Sequence, residues 1–132
     1  GDQQPMADYG KHLGMAFQII DDVLDYQGDV EAIGKNIGDD LAEGKMTLPL
    51  VHARDQLTGA EREIICQAIE TKSADNFSAI LASVKSCGSL DYSIEQAKLQ
   101  AELAKQALSG LPDSQFKTVM ADLADFSVSR LS

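Results

Sequence analysis

Three closely spaced aspartates, Asp21, Asp22 and Asp25, are the residues of this chain best suited to chemistry. At 100° per residue around a helix, Asp25 lies about 40° and Asp22 about 100° from Asp21, so their carboxylates share one arc. No Lys or Arg lies three or four residues from any of them. A hard divalent cation such as Mg²⁺, bridging to a substrate phosphate, would relieve their repulsion. On this short run alone, a solvated acidic face is the commoner alternative.

The aspartates lie at the end of a strongly apolar segment, which predicts a helix over about 4–26. Apolar residues fill most of the circumference of that helix, a pattern typical of a helix surrounded by other helices. Its carboxylates then face either a cavity or a narrow strip of solvent.

The next segment, 27–45, is predicted to be a long loop, since four glycines interrupt it without sustained periodicity. Two pieces, 29–34 and 39–44, each resemble one capped helical turn that starts with Asp and stops with Gly. Loops of this length are usually functional or disordered, and we expect this one to be more mobile than the helices. Lys35 and Lys45 could reach back over the aspartates to a phosphate, although either lysine alone would count as a solvated loop charge.

Two familiar motifs are excluded by spacing. A P-loop needs four residues between its glycines and a Ser or Thr after the lysine, but Gly38 and Gly44 enclose five and Met46 follows Lys45. An EF-hand needs ligands at positions 1, 3 and 5 with Gly at position 6, and the aspartates lack this spacing.

The runs FQIIDDVLDYQGD, GK and GDDLAEGKMTLPL resemble the second aspartate-rich region of trans-isoprenyl diphosphate synthases, in the form found in long-chain, octaprenyl-type enzymes. The resemblance extends from about Met6 to the C-terminus. It implies an all-α fold, a helical bundle that is the C-terminal portion of the isoprenoid synthase fold. No first DDxxD-type motif occurs in these residues. We therefore expect 1–132 to be the C-terminal part of a larger synthase domain, inactive alone.

The same resemblance implies roles for individual residues. The three aspartates would form the second Mg²⁺-binding motif, with Asp21 the surest ligand. Lys35 would contact the diphosphate of the allylic substrate, and Lys45 would be a further cation nearby. Phe17 and Gln18 would line the cavity beside the reacting carbons.

The implied reaction condenses an allylic prenyl diphosphate with isopentenyl diphosphate to give a trans chain five carbons longer. A homodimer and a product that becomes a quinone side chain are further implications. Two alternatives stay open: a terpene cyclase-like enzyme that ionises diphosphates, and a non-catalytic helical subunit or interaction module. An aromatic content of 5% weighs against the cyclase, since those enzymes line their cavities with aromatic rings.

The amino-acid composition argues against some classes of binding partner. A net charge of −10 argues against nucleic acid and anionic membrane surfaces. No run of 18 apolar residues predicts a transmembrane segment. Cys66 and Cys87 make neither a disulfide framework nor a zinc site, so a reduced, cytoplasmic location is expected. His12 lies on an apolar arc and is predicted to be a satisfied core residue.

The rest of the chain is predicted to form further helices. Thr47 is expected to cap the first of them and Thr58, with Glu61, to form a capping box for the second. In the last helix, apolar residues at helical spacing are predicted to be core: Phe116, Val119, Met120, Leu123 and Phe126. The predicted ranges are 48–56, 59–71, 74–87, 90–109 and from 113 onward.

Overall fold

A computed structural model describes residues 3–131 of the chain. Across those residues the regular secondary structure is entirely helical, which confirms the all-α prediction. The seven helices are α1 Gln3–Leu24, α2 Val30–Ala42, α3 Leu48–Gln56, α4 Gly59–Thr71, α5 Phe77–Ser86, α6 Ser89–Ala107 and α7 Gln115–Ser129. None of these helices is both long enough and apolar enough to cross a bilayer.

The chain divides into two compact units, each with its own core. The first unit contains the chain up to Asp21 together with the residues from Ile94 onward, and the second runs from Asp22 to Ser93. In the second unit α3, α4 and α5 pack on one another, and α2 packs on α5. The buried core of that unit consists of Tyr26, Ile33, Ile37, Leu41, Leu50, Ala53, Ile65, Ala68, Ile80 and Val84.

Helix α2 corrects the prediction of a long loop. Ile33, Ile37 and Leu41 lie four residues apart and are all buried, so they form one apolar face of a continuous helix. Asp29 caps that helix, since its Oδ1 accepts a 2.7 Å hydrogen bond from the backbone N–H of Ala32. The sequence predicts a loop here because glycines interrupt the pattern, but two of the four, Gly34 and Gly38, lie inside the helix.

Two of those glycines allow α2 to pack closely against its neighbours. A Cβ added at Gly34 would lie 3.1 Å from the ring of Phe77, and one at Gly38 would lie 3.6 Å from the Cβ of Ala74. A side chain at Gly34 would therefore displace the ring at the start of α5. Close approach, rather than a turn, explains Gly at this position.

The C-terminal end of α2 is a tight turn. Glu43 is the C-cap, and Gly44 follows with φ of +73°, a left-handed conformation that favours glycine. The backbone N–H of Lys45 donates a 2.8 Å hydrogen bond to the carbonyl of Asp40. This bond fixes where the side chain of Lys45 leaves the backbone.

The later helices follow the predicted order with differences at their ends. Helices α3 and α4 have the predicted bounds, whereas α5 begins at Phe77, three residues late. Thr47 and Thr58 do occupy N-cap positions, but neither side chain makes a capping hydrogen bond, so the predicted capping box is not formed. Ser114 caps α7 by accepting a 3.1 Å hydrogen bond from the N–H of Lys117.

The core of the first unit includes Tyr9, Leu13, Ala104, Leu108 and Ala124. The hydroxyl of Tyr9 donates a 2.8 Å hydrogen bond to the carbonyl of Met120.

His12 shares a 2.7 Å hydrogen bond with the side chain of Gln100, so it is satisfied as predicted, but it is half-buried and not part of the buried core.

The prediction for α7 is largely wrong. Only Met120 of the five apolar residues packs against the core of the first unit. The others form an exposed stripe, with between 38% and 65% of each side chain accessible to solvent: Phe116, Val119, Leu123 and Phe126. The face of α7 that is buried carries small residues instead, Ala124 and Ser127.

Candidate metal centre

Asp22 is a buried carboxylate paired with a lysine, Lys45, in the turn after α2. Only 4% of the residue is exposed, and its Oδ1 lies 3.2 Å from Nζ of Lys45. Its Oδ2 accepts a 3.4 Å contact from the backbone N–H of Leu48, at the start of α3. Oδ1 is fully buried and, among the described residues, receives no well-aligned hydrogen bond. The lysine therefore acts on this atom as an opposite charge at close range rather than as an ideal donor.

Burial controls the ionisation of Asp22. It raises the pKa of that carboxyl, and the ion pair with Lys45 offsets the effect only in part. The charge of Asp40 adds to the increase. The charged form of Asp22 is therefore stabilised by its partners less than it is destabilised by burial.

Asp25 and Asp40 form a second pair, between the end of α1 and the last turns of α2. Both residues are half-buried, and their carboxyl groups lie close enough for each to affect the other. Burial, the contact with Asp40 and the charge of Asp40 raise the pKa of Asp25 to about 6. Two carboxylates this close are stable together only if they share a proton or a cation.

Lys45 is the cation of this group, which we call the acidic cluster: Asp22, Asp25, Asp40 and Lys45. All four residues belong to the second unit. Burial alone would lower the pKa of Lys45, but the ion pair with Asp22 and the charges of Asp40 and Asp25 outweigh it and raise the pKa. The ammonium keeps its charge at neutral pH, and three carboxylates share it.

Tyr26 and Thr47 lie beside the acidic cluster. Both residues are buried, and the Thr47 hydroxyl lies next to the Tyr26 phenol. Burial raises the pKa of Tyr26, and the charges of the three carboxylates act in the same direction. The phenol therefore stays neutral, and the negative charge of the cluster is held by its aspartates alone.

The donor set suits a hard cation. Mg²⁺ prefers oxygen ligands and is usually held by one or two carboxylates plus waters and substrate phosphates rather than by an all-protein cage. Within residues 3–131, no three His, Cys, Asp or Glu side chains converge into such a cage. The neighbouring carboxyls of Asp25 and Asp40, with the buried carboxylate of Asp22, fit the more open type of site.

The remaining residues predicted for the site lie in varied surroundings. Asp21 is exposed at the end of the first unit and Lys35 is exposed on α2, and neither makes an ion pair within the described chain. Gln18 is exposed, whereas Phe17 is half-buried and packs against the core of the first unit. The roles of these four residues in metal and substrate binding stay predictions.

Asp40 is the one residue of the acidic cluster that the sequence interpretation passed over. The sequence pattern places Asp40 in a capped turn, because the segment is predicted to be a loop. The buried spacing of Ile37 and Leu41, continued from Ile33, was the signal that could have placed it on a helix. Its neighbour Asp39 is exposed, so only one of the two adjacent acids faces the cluster.

A cleft of about 260 Å³ between α4 and the loop that follows it lies apart from the acidic cluster. Its walls hold none of the predicted site residues: Ile64, Gln67, Ala68, Thr71, Ser73, Asp75 and Asn76.

Known proteins similar to this chain share a family description. A family profile described as "Polyprenyl synthetase" matches residues 1–84. The chain is 44% identical to an octaprenyl diphosphate synthase of Haemophilus influenzae, covering 97% of this chain and 39% of that protein. It is 40% identical to an all-trans-nonaprenyl-diphosphate synthase (geranyl-diphosphate specific) of Rhodobacter capsulatus, covering 98% and 40%.

A solved structure is similar as well. The polyprenyl synthase of Caulobacter crescentus CB15, complexed with calcium and isoprenyl diphosphate, superposes with a TM-score of 0.78. The two are 39% identical over 97% of this chain and 40% of that one. The chain thus spans about 40% of the length of the relatives it matches.

Proposed function

Because the chain belongs to the polyprenyl synthetase family, we propose that it carries the second aspartate-rich region of a long-chain trans-polyprenyl diphosphate synthase. The observation that carries this proposal is the acidic cluster, in which Lys45 pairs with Asp22 of the DDVLD run and the charges of Asp25 and Asp40 act nearby. The substrates would be an allylic prenyl diphosphate and isopentenyl diphosphate. Residues 1–132 would be the C-terminal part of the synthase domain.

The proposed site residues divide into metal and diphosphate ligands. Asp21, Asp22 and Asp25 would hold Mg²⁺, which when bound neutralises the charge of the departing diphosphate. Lys35 and Lys45 would donate hydrogen bonds to the diphosphate oxygens. A Lys45 already held by Asp22 is preorganised, so little conformational freedom is lost when a second anion arrives.

The chemistry requires ionisation and a dry surrounding. As the allylic C–O bond breaks, negative charge builds up on the diphosphate, where the lysines stabilise it. The double bond of isopentenyl diphosphate then attacks the allylic carbon, and a proton is lost to the released diphosphate. Phe17 and Gln18 would lie beside the reacting carbons, where an apolar wall keeps water from the cation.

An octaprenyl-type product is the finer part of the proposal. The similarity to an octaprenyl diphosphate synthase supports this product. The similarity to a nonaprenyl diphosphate synthase makes a nine-unit product the alternative. A quinone side chain as the fate of the product, a cytoplasmic location and a homodimer complete the proposal. Assay products separated by chain length would decide between eight and nine prenyl units.

The chain alone should be inactive. Two clusters of carboxylates must hold metals around one diphosphate, and this sequence contains one aspartate-rich motif. The alternative, a non-catalytic helical module, predicts no activity in any context. The synthase and module hypotheses are distinguished by assaying this chain beside the protein from its full coding sequence. The assay contains radiolabelled isopentenyl diphosphate, an allylic diphosphate and Mg²⁺.

The decisive variant is Asp21→Ala in the active protein. Loss of a group that stabilises leaving-group charge typically lowers turnover by about 100- to 1,000-fold. The matched control is Asp39→Ala, which removes an exposed acid from α2 and should leave turnover near the wild-type value. Wild-type turnover in Asp21→Ala would exclude Asp21 as a metal ligand.

A further inference from the structure

We propose that Cys87 is a site of reversible modification, whose thiol gives its proton through Ser89 to His52 and forms a mixed disulfide with a small-molecule disulfide. The three residues belong to the second unit and lie outside the acidic cluster. The inference therefore goes beyond the proposed reaction and does not rest on it. It gives a role to one of the two free cysteines of the chain.

A continuous hydrogen-bonded chain joins the three side chains. Cys87 follows the last residue of α5, Ser89 is the first residue of α6 and His52 lies on α3. The Sγ of Cys87 lies 3.0 Å from the Oγ of Ser89, and that Oγ lies 2.7 Å from Nδ1 of His52. The thiol also lies 3.7 Å from the carbonyl oxygen of Val84. Ser89 is fully buried, so its hydroxyl has protein groups rather than water on both sides.

The hydroxyl between the thiol and the imidazole allows a proton to pass along this chain. A serine hydroxyl donates one proton and accepts hydrogen bonds on its oxygen. Ser89 can therefore accept from the thiol of Cys87 while it donates to Nδ1 of His52. A shift of both protons gives a thiolate at Cys87 and an imidazolium at His52, with each hydrogen bond reversed. The thiolate is the nucleophilic form of cysteine, and imidazole is the side chain that most often accepts a proton at neutral pH.

Tyr92 positions the imidazole and favours its charged form. Its ring stacks on that of His52, with centroids 4.0 Å apart and planes inclined by 14°. The stack fixes the plane of the imidazole, and the face of an aromatic ring attracts a cation. Tyr92 is 40% exposed and Cys87 is half-buried, so the cluster lies near the surface, within reach of a small reagent.

The modification step is a thiol–disulfide exchange. The thiolate sulfur of Cys87 attacks one sulfur of the small disulfide, so that a new S–S bond forms and the original one breaks. The cysteine sulfur is oxidised and the leaving sulfur is reduced. The leaving thiolate takes the proton that His52 received, and the small disulfide is the only oxidant required. The reverse reaction with a small thiol restores Cys87.

Cys66, on α4, is a control of similar burial. Both cysteines are free and partly buried. Among residues 3–131, the side-chain hydrogen bonds of cysteine thiols all belong to Cys87. A difference in reactivity between the two cysteines therefore reports on the proton relay more than on access.

The test is the rate of reaction with dithiobis(nitrobenzoic acid), an aromatic disulfide whose released thiolate is followed by its absorbance. Cys66→Ser leaves only Cys87 to react, and Cys87→Ser leaves only Cys66. In the folded chain at neutral pH, Cys87 should react at least about tenfold faster than Cys66, a modest part of what a positioned base contributes in an enzyme. In concentrated urea the two rates should be equal, because no folded relay remains.

Two substitutions in the Cys66→Ser chain separate the relay from packing. His52→Gln keeps a polar partner for Ser89 but takes no proton, and Ser89→Ala removes the hydroxyl. Each should slow the reaction of Cys87 about tenfold. Loosened packing would have the opposite effect, since greater access speeds the reaction of a half-buried thiol. Tyr92→Phe keeps the stacked ring and is the control expected to react as the Cys66→Ser chain does.

Circular dichroism shows which variants are folded, and if one of the two relay variants is unfolded the other still decides. Three results would overturn the inference: equal rates for the two cysteines in the folded chain, a Cys87 that reacts only in urea, or unchanged rates in His52→Gln and Ser89→Ala. None of these measurements involves prenyl transfer, so the proposed function is judged separately, by the turnover of Asp21→Ala.

Discussion

The ammonium of Lys45 lies 3.2 Å from the buried carboxylate of Asp22, across 23 positions of sequence. The ion pair ties the turn after α2 to the end of α1. It also distinguishes Lys45 from Lys35, which is exposed on α2. Both lysines are predicted to bind substrate, but only Lys45 is also expected to stabilise the fold.

Replacing Lys45 should cost stability, and replacing Lys35 should not. Lys45→Met leaves Asp22 buried without its counter-charge, which we expect to lower the free energy of unfolding by about 1–3 kcal/mol. The partial exposure of Lys45, 38% of its side chain, keeps the effect below that of a fully buried pair. Lys35→Met should stay within about 0.5 kcal/mol of the wild type. Urea unfolding followed by circular dichroism measures both, and equal losses would contradict the distinction.

The Asp25–Asp40 contact should make stability fall as pH rises through weakly acidic values. Asp titrates near 4 in the unfolded chain, whereas Asp25 in the folded chain titrates at about 6. Between these values the folded state binds the extra proton, so the free energy of unfolding decreases from pH 4 to pH 6 and then levels off. Asp25→Asn should remove this contribution. Denaturant unfolding at several pH values tests it, and identical profiles for wild type and variant would refute it.

Close packing at Gly34 predicts intolerance of a larger side chain. Gly34→Val should lower the free energy of unfolding by about 1–3 kcal/mol, because its side chain meets the ring of Phe77. Gly10→Val is the matched control, since a Cβ there meets nothing within 4 Å and helix propensity favours Val over Gly. If both variants were equally stable, α2 would not pack against α5 as described.

The exposed stripe on α7 should tolerate polar residues. Phe126→Ser removes a side chain that is largely in solvent, and the free energy of unfolding should change by no more than about 0.5 kcal/mol. Leu108→Ala, in the core of the same unit, should cost about 2–5 kcal/mol. Chemical unfolding of the two variants checks this contrast. A large loss in Phe126→Ser would restore the original assignment of the stripe to the core.

Local signals were sufficient for part of the fold. Helices α3 and α4 have the predicted ends because Thr at the N-cap position, Pro or Gly at the start and a change of pattern at the end all act within a few residues. The DDVLD run likewise identified Asp22 and Asp25, two of the three acids of the cluster, whereas Asp21 is exposed.

Other features depended on partners far away in the sequence. Gly34 could not be recognised as a packing residue without Phe77, and Asp40 could not be recognised as a site residue until α2 was known to be a helix. In α7 the apolar spacing correctly predicted that these residues share one face of the helix. It could not show whether another helix covers that face. Periodicity reports which residues share a face, and burial depends on what covers that face.

The turn that ends α2 fixes the number of residues between Asp40 and Lys45. The Asp40 carbonyl and the Lys45 N–H close it, and Gly44 supplies the left-handed residue within it. Surface turns usually accept inserted or deleted residues. Here one added residue would shift the lysine by up to about 3.8 Å, the spacing of consecutive Cα atoms, and carry its ammonium out of reach of Asp22. Natural sequence variants of this protein should therefore carry substitutions between Asp40 and Lys45 but no insertions or deletions there.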